Sequence, residues 1–402
     1  MAAPRHAPAE PPLPPGSTIG ILGGGQLGRM LGMAARRLGY RIVIVDPDPD
    51  APAAVLADKH LVAGYGDTDA AGRLAAVSAV VTCELEHVDV ATLAALAQQV
   101  PVHPSPGAIA ITQDRLAERR WLESVGAPVA RWRPIHAPAD LPAAAAGLGF
   151  PSRLKVAVGG YDGRQQASVG RADQVDAAYA ALEPSGRAVL LEQEIDFACE
   201  LSVVCARGLD RSTVAYPVAQ NRHDRGILIE SIAPAPIPEL TADAAQELAV
   251  QLADALDIVG TLTVELFLLR DGSLLVNELA PRVHNSGHYT EAACVTSQFE
   301  QHVRAICGLP LGSVAMRDGS AAMVNLRGMG ERRTGRPLGL EAALADPGVH
   351  VHLYGKRDVA ERRKMGHVTV VDEDAQRALE RARRSAAHIS WAQAAWPQRE
   401  AP

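Results

Sequence analysis

The stretch at positions 263–282, TVELFLLRDGSLLVNELAPR, holds two apolar, strand-like runs separated by Asp271-Gly272. Asp-Gly is a preferred dipeptide for a two-residue hairpin turn, because both turn positions need a positive φ that Asp and Gly tolerate. A turn there predicts that Leu269 faces Leu274, Phe267 faces Val276 and Glu265 faces Glu278. Two carboxylates then meet across one sheet face. Like charges directly opposite destabilise a sheet, and at about 5 Å with an effective dielectric of about 20 the repulsion is roughly 3 kcal/mol. A cation that offsets it is the natural expectation.

The 402 residues are 48% hydrophobic and 21% charged, which is ordinary globular composition and enough chain for two or three domains with their own cores. Net charge is −7 and the basic residues are dispersed, so a nucleic-acid partner is not expected. The arginine-rich run 377–384 reads as a solvated helix face. No apolar run reaches the ~18 residues of a membrane span, and residues 1–17, rich in Pro and Ala, read as a disordered tail. The five cysteines form no C-x-x-C pair. Neither a disulfide framework nor a zinc site is expected, and a reducing cytoplasm fits.

From Thr18 the chain alternates strand and helix to about Ser105, a βαβ pattern that implies a parallel sheet. The segment DRLAERRWLESVGA reads as a helix with Leu116, Trp121, Leu122 and Val125 on one buried face. From about 128 to 312 strands and helices mix as α+β, and a last portion carries short strands and a terminal helix. The expected domains are 18–112, Rossmann-like; 113–312; and a small C-terminal domain, 313–395.

Gly23-Gly24-Gly25-Gln26-Leu27-Gly28 fits G-x-G-x-x-G between a strand and a helix, with Asp46 ending the second strand. Three readings stand: a dinucleotide fingerprint, a structural tight turn, or contact with some other phosphate or substrate at a helix N-terminus. Pro47 follows Asp46 directly and no hydride-transfer constellation follows, which lowers the first.

Lys155 lies in LKVAVGGYDGRQQ, a strand followed by three glycines within five residues. Such a loop can fold over a triphosphate while a neighbouring lysine supplies point charge to it. A surface hairpin tip has the same composition. The facing glutamates favour the phosphate reading, since magnesium prefers one or two carboxylates plus substrate phosphates.

These residues carry a resemblance. Residues 24–30 (GGQLGRM), 159–163 (GGYDG), 277–282 (NELAPR) and the long block from His284, HNSGHYTEAACVTSQFEQHVRAICGLPLG, resemble the 5-(carboxyamino)imidazole ribonucleotide synthetases of purine biosynthesis, members of the ATP-grasp superfamily. The resemblance runs from about Thr18 to His367. It implies a Rossmann-like N-terminal domain, a two-lobed ATP-grasp module and a small C-terminal domain. It also implies ATP-dependent carboxylation of 5-aminoimidazole ribonucleotide with bicarbonate through carboxyphosphate, with Mg2+ or alternatively Mn2+, in a cytoplasmic homodimer.

Carried over by position, Arg115 and Lys155 resemble the phosphate cations, with the loop Gly160, Tyr161, Asp162, Gly163, Arg164, Gln165, Gln166 closing over ATP. Glu192, Gln193, Glu194 and Ile195 resemble the adenine-reading hinge, Glu200 the ribose acceptor, and His223 a further nucleotide contact. Glu265 and Glu278 match the metal ligands, with Asn277 beside them. Gln26, Glu84, Arg282, His284 and Asn285 match positions lining the ribonucleotide, and Lys356 and Arg363 the cations for its 5′-phosphate. Tyr161, Asp162 and Arg164 are implied in catalysis, the last two in proton handling and charge stabilisation. His288 and His367 sit in matching blocks and read as structural.

The chain departs from the family pattern at four places. Gln165 and Arg362 stand where glycine is usual, Arg119 where lysine is common, and Ala280 where ATP-grasp sites often place an asparagine ligand. The loss of glycine removes freedom to adopt positive φ. The rival readings are a formate-dependent glycinamide ribonucleotide transformylase, which the Asn285-Ser286-Gly287-His288 block opposes, a non-catalytic nucleotide-binding scaffold, and an NAD-dependent oxidoreductase.

Overall fold

A computed structural model describes residues 11–159, 165–182, 184 and 186–393. The first unit is a five-stranded parallel sheet with the spatial order Lys59–Val62, Arg41–Asp46, Thr18–Leu22, Val80–Cys83, Val102–His103. Its central strands are near-continuous aliphatic runs because both faces are covered. The helix Gln26–Arg37 lays Leu27, Met30, Leu31 and Ala35 on Ile19, Ile21, Ile42 and Ile44. Phe299, Val303 and Ile306, from the helix Gln298–Ile306, join the same cluster and tie the first unit to the next.

Part of the expected tail is anchored. Leu13 donates its N–H to the Cys307 carbonyl at 2.9 Å, accepts from the Tyr40 hydroxyl at 2.8 Å and packs against this core.

Next comes an antiparallel four-stranded sheet in the order Trp132–Ile135, Val189–Gln193, Ser152–Val156, Gln166–Val169. The helices Leu141–Leu148 and Val175–Ala181 cover one face, around Leu154, Val156, Val189 and Leu191. The helix Arg115–Ser124 buries Leu116 and Leu122 as expected, but Val125 is exposed. In its place the buried face carries Glu118 and Arg119, each 2% exposed.

Nine of the remaining strands form one antiparallel sheet, and Arg333–Leu338, flanked by Asp358–Val359 and Ser390–Gln393, forms a separate three-stranded one. The path of the nine-stranded sheet runs Leu274–Ala280, Gly260–Leu269, Phe197–Arg207, Ala219–Asp224, Ile227–Ala233, Ser320–Arg327, Lys364–Asp372, Val349–Leu353, with the ninth strand, Thr213–Ala215, pairing off this path with Phe197–Arg207. No break in this sheet marks the boundary expected near 312, since Ile227–Ala233 pairs directly with Ser320–Arg327. The helix Ala375–His388 presents Arg377, Arg383 and Arg384 to solvent as expected, and surface ion pairs join Arg377 and Arg381 to Asp372 and Arg383 to Glu230.

The hairpin differs from expectation at its tip. Leu269 N–H donates to the Ser273 carbonyl at 2.8 Å, so the loop holds three residues, Arg270, Asp271 and Gly272, with Gly272 at φ +87. This is the three-residue hairpin with a left-handed glycine, and Asp271 Oδ1 reinforces it by accepting from Ser273 N and Oγ. Pairing near the tip is therefore Leu268 with Leu274, Phe267 with Leu275 and Leu266 with Val276, not the expected Leu269–Leu274 and Phe267–Val276. A β-bulge then absorbs one residue, Asn277, and restores Glu265 opposite Glu278.

Candidate active site

A cavity of about 750 Å³ opens where the three parts of the chain meet. Arg115, Lys155, Gln166, Glu200 and His223 line it, together with Glu265, Asn277 and Glu278 from the hairpin. Gln26 and Glu84 enter from the parallel sheet, Arg282, His284 and Asn285 from the segment after the hairpin, and Lys356 and Arg363 from the C-terminal portion. Among the described residues, Gln165 and the hinge positions Glu192, Gln193, Glu194 and Ile195 do not line it. Gly160, Tyr161, Asp162, Gly163 and Arg164 lie outside the described residues.

Glu265 is strongly perturbed by its surroundings. Burial first, and the Glu278 charge second, push it up to about 7. His284 Nε2 lies 3.3 Å from Glu265 Oε1, while His284 Nδ1 faces Ser286 N–H and Oγ. Because a backbone N–H can only donate, Nδ1 is the acceptor and the ring proton sits on Nε2, aimed at Glu265. Burial, then Arg282, holds His284 well below its usual range, so the ring is neutral and leaves the carboxylates without a counter-charge from this side. The bulge turns Asn277 and Glu278 into the cavity together. Two glutamates with one amide oxygen suit a hard divalent cation completed by phosphate oxygens, and no group of three His, Cys, Asp or Glu among the described residues forms a closed protein cage instead.

Lys155 Nζ donates to Glu192 Oε2 at 2.7 Å, and Arg119 binds Glu192 Oε1 through Nε at 2.9 Å and Nη2 at 2.8 Å. Burial alone would raise Glu192, but Lys155 and Arg119 carry it down to about 2. The side chain of this hinge residue therefore serves the cations rather than an adenine ring. Glu200 Oε2 meets His223 Nδ1 at 2.8 Å; burial works against the imidazolium, but this bond and the Glu265 charge raise His223 overall.

The glycine motif has a definite occupant. The Glu84 carboxylate accepts from Gly25 N and Gly28 N, and Asp46 Oδ2 accepts from Gly24 N at 2.7 Å. A Cβ on Gly23 or Gly25 would fall 2.3 or 2.5 Å from Glu84 atoms. The helix N-terminus thus receives the protein's own carboxylates, which excludes the dinucleotide reading. Glu84 lines the cavity with both oxygens already committed.

Arg282 Nη2 pairs with Glu86 at 2.7 Å, and Asn285 exchanges amide hydrogen bonds with Asn325 at 3.1 and 2.6 Å. Lys356 Nζ donates to the Lys364 carbonyl at 2.8 Å and Arg363 Nη1 to the Asp358 carbonyl at 2.7 Å. His288 and His367 are fully buried with rings 4.6 Å apart and tilted by 35°, a structural pair that does not line the cavity. Gln165 and Arg362, the two former glycine positions, keep the left-handed backbone at φ 56 and φ 66.

Sequence reasoning missed Glu118, Glu86 and Asn325. For Glu118 a signal existed: positions 115, 118, 119 and 122 share one helix stripe, so a charged pair shares the stripe of the buried Leu122.

A ribonucleotide synthetase preATP-grasp domain model matches residues 17–113, an ATP-grasp domain model 120–299, and a phosphoribosylaminoimidazole carboxylase C-terminal domain model 321–381. An N5-carboxyaminoimidazole ribonucleotide synthase of Brucella melitensis is 44% identical over 357 residues, 89% of this chain and 97% of the relative. The chain belongs to the N5-carboxyaminoimidazole ribonucleotide synthase family. As a member of that family it is an ATP-grasp ligase. The crystal structure of the Thermotoga maritima synthetase matches with a TM-score of 0.85 at 39% identity, covering 94% of this chain and 100% of that one. The Aspergillus clavatus synthase, solved with ADP and 5-aminoimidazole ribonucleotide, matches with a TM-score of 0.85 at 33% identity over 92% of this chain and 97% of that one. Among the described residues no helix is long and apolar enough to cross a membrane.

Proposed function

We propose that this chain joins bicarbonate to the exocyclic amine of 5-aminoimidazole ribonucleotide, cleaving ATP to ADP and phosphate. The observation that carries the reading is that one cavity gathers Lys155, Glu265, Asn277 and Glu278 from the ATP-grasp lobes with Lys356 and Arg363 from the C-terminal portion. Solved relatives support it, one bound to ATP and another to ADP with 5-aminoimidazole ribonucleotide.

A bicarbonate oxygen attacks the γ-phosphorus and the bond to ADP breaks, giving carboxyphosphate. The amine then attacks its carbon, or the carbon dioxide it releases, while phosphate departs and the amine loses a proton. Lys155 and Arg115 counter the charge that moves from the γ-phosphoryl group to ADP. Glu265, Glu278 and Asn277 would hold Mg2+, which would neutralise phosphate charge when bound. His284 fixes the orientation of Glu265. Glu200, kept in place by His223, accepts from the ribose hydroxyls of ATP. Arg282, Asn285, Lys356 and Arg363 orient the ribonucleotide so that its amine meets the carboxyl carbon. Asp162 and Arg164 complete the proton and charge handling, and a cytoplasmic homodimer belongs to the same proposal.

The test is ADP release by the purified protein with Mg2+, adding bicarbonate and 5-aminoimidazole ribonucleotide separately and together. Stimulation by the pair is expected. Stimulation by formate with glycinamide ribonucleotide instead would overturn the assignment.

A further inference from the structure

Two backbone contacts flank Glu278. On one side Leu279 N–H donates to Glu118 Oε1 at 2.7 Å; on the other the Asn277 carbonyl accepts from Arg119 Nη2 at 2.6 Å. Both grips come from consecutive residues of one helix, Arg115–Ser124, and both side chains are nearly sealed from solvent. Arg119 Nη1 also holds Glu118 Oε2 at 3.1 Å, which makes the grip a rigid pair. The far edge of the same guanidinium binds Glu192, whose other oxygen holds Lys155.

We propose that Glu118 and Arg119 are positioning residues that clamp the bulge around Glu278 and couple its position to Lys155, so that metal ligand and phosphate cation are set as one unit. The inference rests on the ATP-site reading above and deepens it. The hairpin belongs to the nine-stranded sheet, whereas Lys155 and Glu192 belong to the four-stranded one, so the clamp spans the two lobes between which nucleotide binds. Arginine suits the post because its planar fork serves three acceptors at once: Glu118, Glu192 and the Asn277 carbonyl. The charges also balance. Glu118 and Glu192 are countered by Arg119 and Lys155, and loss of the guanidinium charge leaves an excess negative charge beside the site of the nucleotide phosphates.

The experiment is calorimetric binding of ADP to the full chain, with excess Mg2+ and with EDTA, so that no turnover is needed. The readout is the ratio of the two affinities. In Arg119→Met this ratio falls at least about 10-fold, the size typical when a group supporting a metal ligand is lost. Arg119→Lys, which keeps the charge and part of the grip, restores most of it. Arg119→Met with an unchanged ratio overturns the clamp, even if its Tm falls, because a merely structural arginine lowers Tm without touching the Mg2+ term. Should Arg119→Met fail to fold, Glu118→Gln takes its place: it retains the size and the acceptor for Leu279 N–H but loses the charge that locks Arg119. A several-fold fall in the ratio is expected there, and an unchanged ratio overturns the clamp. No Mg2+-dependent ADP binding in the unaltered protein would sink the ATP-site reading itself, and the clamp with it.

Discussion

Replacing Glu278 with glutamine should stabilise the metal-free protein, and only above a certain pH. The Glu265 carboxyl rises from its ordinary 4.5 to about 7 in the fold, by burial first and by Glu278 second. A raised carboxyl pKa favours the folded state fully below 4.5, and this advantage is lost as pH climbs from 4.5 through 7. The whole rise corresponds to roughly 3 kcal/mol. Because burial is the larger cause and the Glu278 side chain reaches solvent, its share is about 1–2 kcal/mol. Glu278→Gln should therefore raise Tm at pH 8 in EDTA by about 2–8 °C, taking 2–4 °C per kcal/mol for a unit of this size. At pH 5, where Glu265 is already protonated, the two proteins should melt together. Adding Mg2+ with ADP should reverse the order at pH 8, since the unaltered protein gains binding free energy that the variant forgoes. Differential scanning fluorimetry across this pH range is sufficient. A gain of equal size at pH 5 and pH 8, or no gain in EDTA at pH 8, would refute the repulsion argument.

Glu84→Ala should cost about 2–4 kcal/mol, because two amides at the start of the helix Gln26–Arg37 lose a charged acceptor at a buried site, and urea denaturation would register it. Gln165→Gly, at φ 56, removes a left-handed strain of about 1–2 kcal/mol. Flexibility gained by the unfolded chain offsets part of this, so stability should change by less than about 1 kcal/mol while kcat holds or rises; a large fall in kcat would show that the side chain itself is needed. Lys356→Ala combined with Arg363→Ala should raise the KM for 5-aminoimidazole ribonucleotide at least about 10-fold, a loss of roughly 1.4 kcal/mol, and leave calorimetric ADP binding unchanged.

Much of the site was legible because strand alternation and a long distinctive block both mark it. The hairpin is instructive: Glu265 and Glu278 do face each other, yet the turn has three residues and the register near it is displaced by one. Two departures from the simplest hairpin cancel at the position that matters. Asp-Gly alone does not distinguish a two-residue turn from a three-residue one, and a bulge leaves no mark in composition. The glycine motif was legible as a close approach but not in what approaches, because Glu84 lies 56 residues beyond Gly28 and only the parallel sheet brings it there. Glu118 and Arg119 were hidden by the rule that charges face water. That rule fails where buried charges are paired on all sides.

The bulge at Asn277 divides the hairpin into two halves that are held by different anchors. On the cavity side the chain is pinned by Glu118 and Arg119, while on the tip side Val276 N–H donates to the Pro128 carbonyl at 2.7 Å and Arg270 pairs with Asp196 at 3.0 Å. A change of length in the loop between Leu269 and Ser273 therefore meets the Val276 anchor before it reaches Glu278. The hairpin behaves as a line moored at several points: a disturbance at the turn is stopped at the Val276 mooring, and the site beyond it is insulated.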